Sequence, residues 1–166
     1  YDEQLIALGS YIHSTRMAFL KSFTPIFKNY YKQISRSEEV VDIYYKADFN
    51  NTDPAQVLKN AQQKDLQLQY TSVGIHKDDL LFLLDSHAVK KFGSQGQQKS
   101  FLTALKLAQF KFIKQESGTV PILLLDDIFD KLDESRVSQI IEMVNDDQFG
   151  QLFISDTHPE RTEAVI

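Results

Sequence analysis

Two carboxylates stand side by side at Asp126 and Asp127, directly after the apolar run Ile122-Leu123-Leu124-Leu125. Such a run reads as a parallel strand buried on both faces. Open α/β sheets bind ligands beyond the carboxyl ends of their strands. Successive side chains on a strand point opposite ways, so the two acids take different roles. One suits a Mg²⁺ ion, the other the orientation or deprotonation of a water. The plain alternative is a strand end whose acids cap the next helix. A second group is Ser94-Gln95-Gly96-Gln97, at the mouth of a helical run from Ser100. A helix N-terminus offers free N–H groups and a positive dipole to an anion. Ser94 adds a hydroxyl, and Gly96 allows close backbone approach to a phosphate. Taken alone, this tetrapeptide is better read as a simple helix cap.

The remaining composition narrows the chemistry. The 166 residues contain no cysteine, which removes thiol nucleophiles, Cys-ligated zinc, iron–sulfur clusters and disulfide scaffolds. The formal charge is −5, so no global basic field advertises nucleic acid. No stretch approaches the roughly 18 apolar residues of a membrane span. The four histidines show no metal-ligand spacing. The chain opens at Tyr1 without Met and inside a helical pattern, which suggests a piece of something longer.

Several elements must position the two groups. A long helix starts at Asp2-Glu3, carries Leu5, Leu8, Ile12, Met17, Leu20 and Phe27 at helical spacing, and is expected to kink or split at Pro25. Phe19, Phe23, Phe27, Tyr30 and Tyr31 could stack bases, but this spacing suits a core. A strand is expected over 39–46. A polar, solvated helix follows the Asp53-Pro54 cap to about Gln69. An apolar run, Leu80 to Leu84, is expected to pair with 87–92 around Asp85-Ser86. After the helix from Ser100 come a turn at Gly118, the strand ending in Asp126, a helix over 134–145, a strand over 151–155 and a last helix from Pro159. That alternation predicts a parallel sheet with flanking helices, an α/β fold.

In this order and spacing, the two groups together resemble the ABC-type ATPases. Ser94 to Gln97 resembles the signature motif, Leu123 to Asp126 the Walker B strand, and Leu132-Asp133 the D-loop. The wording is narrower still. Ser94-Gln95-Gly96-Gln97-Gln98-Lys99, Leu125-Asp126-Asp127-Ile128-Phe129-Asp130-Lys131-Leu132-Asp133 and Gly74-Ile75-His76-Lys77-Asp78-Asp79-Leu80 are similar to the RecF family of bacterial DNA replication and repair proteins. Ile75 and Lys77 replace the Pro and Arg usual there. Arg16 and Phe19 fit the start of that family's arm.

The resemblance implies an arm lobe over 1–70 and, over 71–166, the C-terminal part of an ABC-type ATPase lobe. It implies a cytoplasmic, DNA-dependent ATPase that binds ATP with Mg²⁺ and dimerises on duplex DNA and single-strand/double-strand junctions. Other recombination mediator proteins are implied as partners. Ser94, Gln95, Gly96 and Gln97 would contact nucleotide held by a second subunit. Asp126 would serve Mg²⁺, Asp127 would position the attacking water, and Asp133 would couple the two sites. His158 is either the switch histidine or a turn residue before Pro159, since Asp156 falls where the switch is usual. The phosphate-binding loop Gly-x-x-x-x-Gly-Lys-Ser/Thr does not occur; Gly93 to Ser100 has the wrong glycine spacing. The chain alone is therefore expected to be inactive. Two rival readings are another SMC-like or nuclease-associated ABC ATPase and a non-catalytic helical interaction module.

Overall fold

The computed structural model describes residues 1–126, 132–144 and 149–155. The chain divides into two compact units, each built from two stretches: Tyr1–Ser22 with Ile43–Phe82, and Phe23–Asp42 with Leu83–Ile166. Helix α1, Asp2–Ser35, contributes to both. Pro25 lies inside α1, and the helix continues through it rather than splitting. An interior proline costs about 3 kcal/mol. Burial of Phe23, Phe27, Tyr31 and Ile34 around it offsets that cost, at about 1.5–3 kcal/mol per large side chain. Of the aromatic cluster, Phe23, Phe27 and Tyr31 are core, whereas Phe19 is exposed.

The first unit holds the start of α1, most of strand β1 (Val41–Lys46), helix α2 (Pro54–Leu68) and most of strand β2 (Asp79–Leu84). Asp53 caps α2 by accepting the Ala55 N–H, with Pro54 in the first turn. Only Leu58 and Ala61 of α2 are buried, so the helix is largely solvated, as its composition predicts. Leu20, Ile43, Tyr45 and Phe49 are buried with them in this unit. Gly9 is required here: a Cβ would lie 2.8 Å from the Phe49 ring.

In the second unit, β2 turns into strand β3 (His87–Ala88) with Leu84 opposite His87. Asp85 and Ser86 are both left-handed, at φ 45° and 66°. This is the two-residue turn that matches strand twist. The three strands run in the order β1-β2-β3. The return strand is shorter than expected, because 89–92 form the helical turn α3 (Val89–Phe92), closed by Gly93 N–H to Val89 O at 2.9 Å.

Helix α4 spans Gln95–Ser117, starting earlier than Ser100 and ending at Gly118, whose φ of 68° favours glycine. Its buried face carries Phe101, Ala104, Leu107 and Ala108. The Phe27 and Phe101 ring centroids lie 4.6 Å apart, and Phe23 meets Phe112 edge-on at 6.0 Å. Strands β4 (Leu123–Asp126) and β5 (Leu152–Ser155) flank helix α5 (Glu134–Val144) in sequence and pair in parallel, Leu123 with Leu152 through Asp126 with Ser155. Leu123 and Leu125 are buried, whereas the register partners Leu124 and Phe153 are 64% and 59% exposed. Within this stretch of chain one face of the strand is covered. The helix expected from Pro159 lies outside the described residues.

Candidate functional site

Helix α4 begins with a reciprocal cap. Ser94 Oγ accepts the Gln97 N–H at 3.2 Å, and Gln97 Oε1 accepts the Ser94 N–H at 2.7 Å. This is a capping box, in which the cap residue and the third helical residue satisfy each other. Four N–H groups at a helix start lack intrahelical partners. Here the box satisfies those of Ser94 and Gln97, leaving Gln95 and Gly96 to supply donors to an external acceptor. Ser94 and Gln95 are exposed, and Gly96 and Gln97 half-buried. Just before the helix, Gln98 Nε2 ties Gly93 O at 2.8 Å.

The other end of the Gln97 side chain is also held. Gln97 Nε2 donates to Glu39 Oε1 at 2.7 Å, and Tyr31 Oη donates to Glu39 Oε2 at 2.8 Å. Burial opposes ionisation of Glu39, but hydrogen bonds from Gln97, Tyr31 and Ser37 and the nearby Arg136 charge outweigh it, and the carboxyl sits below its ordinary range. Burial, then the bond to Glu39, raises the Tyr31 phenol. Sequence reasoning missed Glu39 and Tyr31 as members of this site. The Ser-x-x-Gln spacing is a local signal for the box; Glu39 lies 58 residues from Gln97 and has no such signal.

Asp126 ends β4 with its carboxylate exposed and accepts a hydrogen bond from Ser155 Oγ, its register partner on β5. Carboxylate and hydroxyl oxygens at adjacent strand ends are a hard donor set of the kind Mg²⁺ takes. Among the described residues no group of three or more His, Cys, Asp or Glu could hold a metal. Asp133 caps α5, accepting the Arg136 N–H at 2.9 Å and facing the Arg136 guanidinium at 3.4 Å. Asp127 and His158 lie outside the described residues. The structure thus joins Ser94, Gln95, Gly96 and Gln97 in one helical turn, and describes Asp126 and Asp133 at two further element ends.

The segment from Gly74 to Leu80 is tightly tied within the first unit. Gly74, at φ 111°, donates its N–H to Asp48 Oδ2 at 2.9 Å. Arg16 Nη1 reaches Ile75 O at 3.0 Å and Asp78 Oδ2 at 2.8 Å, and Tyr45 Oη also donates to that carboxylate. The Asp78 side chain is only 4% exposed. Lys77 lies over the Tyr70 ring at 5.4 Å.

The chain is 59% identical over its full length to the "DNA replication and repair protein RecF" of Flavobacterium johnsoniae, covering 46% of that protein. The chain belongs to the RecF family. RecF of Bacteroides fragilis is 45% identical across the whole chain, which covers 45% of it. RecF of Cytophaga hutchinsonii is 47% identical over 162 residues, 98% of the chain and 43% of that protein. The chain spans about half the length of the curated relatives it matches. Solved structures of the recombination mediator protein RecF in the RecFOR pathway, in forms named RecF-ATP and RecF-ATPrS, match with a TM-score of 0.75 and 25% identity. They cover 96% of this chain and 44% of theirs. No family model matches. Among the described residues, no helix is long and apolar enough to cross a membrane.

Proposed function

We propose that this chain supplies the signature turn and Walker B strand of a RecF-type ATPase acting in DNA replication and recombinational repair. The observation that carries the reading is the α4 cap. It satisfies the Ser94 and Gln97 N–H groups and leaves Gln95 and Gly96 as donors beside an exposed Ser94 hydroxyl. That set suits a terminal phosphate presented by another subunit. The RecF-ATP form of a solved relative supports nucleotide as the ligand. The relatives' names support DNA and recombination mediator proteins as partners.

In this reading, residues 1–70 belong to an arm lobe and 71–166 to the ATPase lobe. Ser94, Gln95, Gly96 and Gln97 contact the γ-phosphate of ATP in trans. Asp126, oriented by Ser155, holds Mg²⁺, which would neutralise phosphate charge when bound. Asp127 orients the attacking water, and His158 faces the γ-phosphate as the switch. Asp133 fixes the start of α5 and thereby the loop coupling two sites. ATP closes a homodimer on duplex DNA or a single-strand/double-strand junction.

Ser94→Arg tests this reading in the full-length protein containing these residues. If Ser94 only caps α4, the change costs about 1 kcal/mol. If it meets a phosphate across a dimer, the Arg blocks closure. Light scattering with and without ATP and Mg²⁺ should then show loss of ATP-induced dimerisation, with a thermal melt confirming folding. A folded mutant that dimerises normally leaves Ser94 as a cap and removes the trans assignment.

A further inference from the structure

We propose that Glu39 is a positioning residue for this site: its carboxylate decides which way the Gln97 amide faces, and so keeps the α4 turn in its ligand-ready form. The proposal rests on the signature reading above for its function, but its geometry stands apart from that reading.

A glutamine amide has a donor end and an acceptor end, and either can face a given neighbour. An ionised carboxylate only accepts. Tyr31 Oη already donates to Glu39 Oε2, and Oε1 faces Gln97 at 2.7 Å. Only the Gln97 NH₂ group can meet Oε1 favourably. That choice turns Gln97 Oε1 toward the Ser94 N–H, 2.7 Å away. The reverse orientation would set oxygen against carboxylate and NH₂ against N–H, two repulsive contacts. The acceptor presented by Glu39 is thus relayed through one amide into closure of the cap.

Glu39 is itself held. Its N–H reaches Ser37 Oγ at 3.4 Å, and the next N–H, from Val40, reaches Asp85 Oδ1 at 2.9 Å. Asp85 N–H returns to Val40 O at 2.8 Å. The charged group acting on Glu39 from α5 is Arg136, which favours the ionised form. Tyr31 is fully buried, and its ring packs at 5.9 Å from Phe101 of α4. The carboxylate therefore ties α1 to the α4 turn through fixed groups at both oxygens.

The test compares Glu39→Lys, Glu39→Gln and Ser94→Arg in the full-length protein. One readout is hydrogen exchange of the Ser94 amide; the other is ATP-induced dimerisation by light scattering. Lys presents only donors, so it should turn the Gln97 amide and open the box. Ser94 exchange should quicken about fivefold or more, and ATP-induced dimerisation should weaken about tenfold. Gln at position 39 can still accept from Gln97, while its NH₂ donates to the Tyr31 oxygen, so both readouts should stay within about twofold of the parent. A folded Glu39→Lys with unchanged Ser94 exchange, or a Glu39→Gln as impaired as Glu39→Lys, overturns the proposal. If Glu39→Lys does not fold, Glu39→Met removes the acceptor without adding charge and is read the same way. If Ser94→Arg dimerises normally, the signature reading falls, while Ser94 exchange still decides the positioning role. If Ser94→Arg blocks dimerisation but Glu39→Lys does not alter it, the positioning role alone falls.

Discussion

Each unit contains a carboxylate bound by a tyrosine, and the third partner differs. In the first, Asp78 takes Tyr45 and the Arg16 guanidinium. In the second, Glu39 takes Tyr31 and the Gln97 amide. A guanidinium donates wherever it points, so Arg16 neutralises Asp78 without encoding a direction. An amide has two unlike ends, so Gln97 carries an orientation onward to Ser94. The first arrangement holds a loop in place; the second transmits polarity to a candidate ligand site. Both tyrosines are pushed up mainly by burial and then by their carboxylate, while Arg16 is raised chiefly by the neighbouring Tyr45, with Asp78 adding, against desolvation.

The comparison can be broken at its charged end first. Arg16→Leu leaves the nearly buried Asp78 carboxylate with Tyr45 but no countercharge. We expect a loss of about 2 kcal/mol in urea unfolding, less than for a fully buried pair because solvent reaches the guanidinium side. Less than about 1 kcal/mol would mean that solvent, which reaches the 44%-exposed Arg16 side chain, already screens the pair. Next come the tyrosines. Tyr31→Phe and Tyr45→Phe each delete one donor to a carboxylate, at an expected 1–2 kcal/mol by the order of a charged hydrogen bond. Tyr31→Phe should also speed Ser94 amide exchange, whereas Tyr45→Phe should leave it unchanged. Equal effects on Ser94 would erase the distinction between the two networks.

Much of the α4 site was legible locally. Ser94 as a cap and Gly118 as a terminator are signals within a few residues, and so is Asp53-Pro54 for α2. The helix starts at Gln95 rather than Ser100 because the capping box outweighs the poor helix propensity of Gly96, about 1 kcal/mol. The parallel pairing of β4 and β5 followed from alternating apolar runs and helices. Glu39 and Asp78 were not legible as hubs, since their partners lie far away in sequence. Arg16 and Asp78 are 62 residues apart, so no periodicity joins them. Pro25 misled because its cost is local, whereas the burial that offsets it comes from tertiary packing.

A smaller effect tests the cap itself. Ser94→Ala should cost about 1 kcal/mol in a thermal or urea melt, and Gln97→Ala should cost a similar or smaller amount if the box is reciprocal. A negligible effect of both would show that tertiary packing alone holds the start of α4. The smallest expected change is in pH dependence. Glu39 has a lowered native pKa, so its contribution is present above its ordinary value of about 4.5 and is lost as pH falls through the native value. Glu39→Gln should flatten stability against pH in that acid window and leave the slope near neutrality unchanged. An unaltered acid limb would show that Glu39 gains no net ionisation preference from its partners.

The interleaving of the two units has a consequence for the order in which the molecule is made. Synthesis runs from the N-terminal side, so both stretches of the first unit have emerged once Phe82 has. The stretch Phe23–Asp42 has emerged by then, yet it belongs with chain that follows. Its Phe27 and Tyr31, wholly buried at the end, must wait for Phe101 of α4. Closing that contact carries the entropy of a long loop, so it should form late. During that interval these apolar side chains lack their α4 partner on the nascent chain, and exposed apolar surface is what holdase chaperones bind.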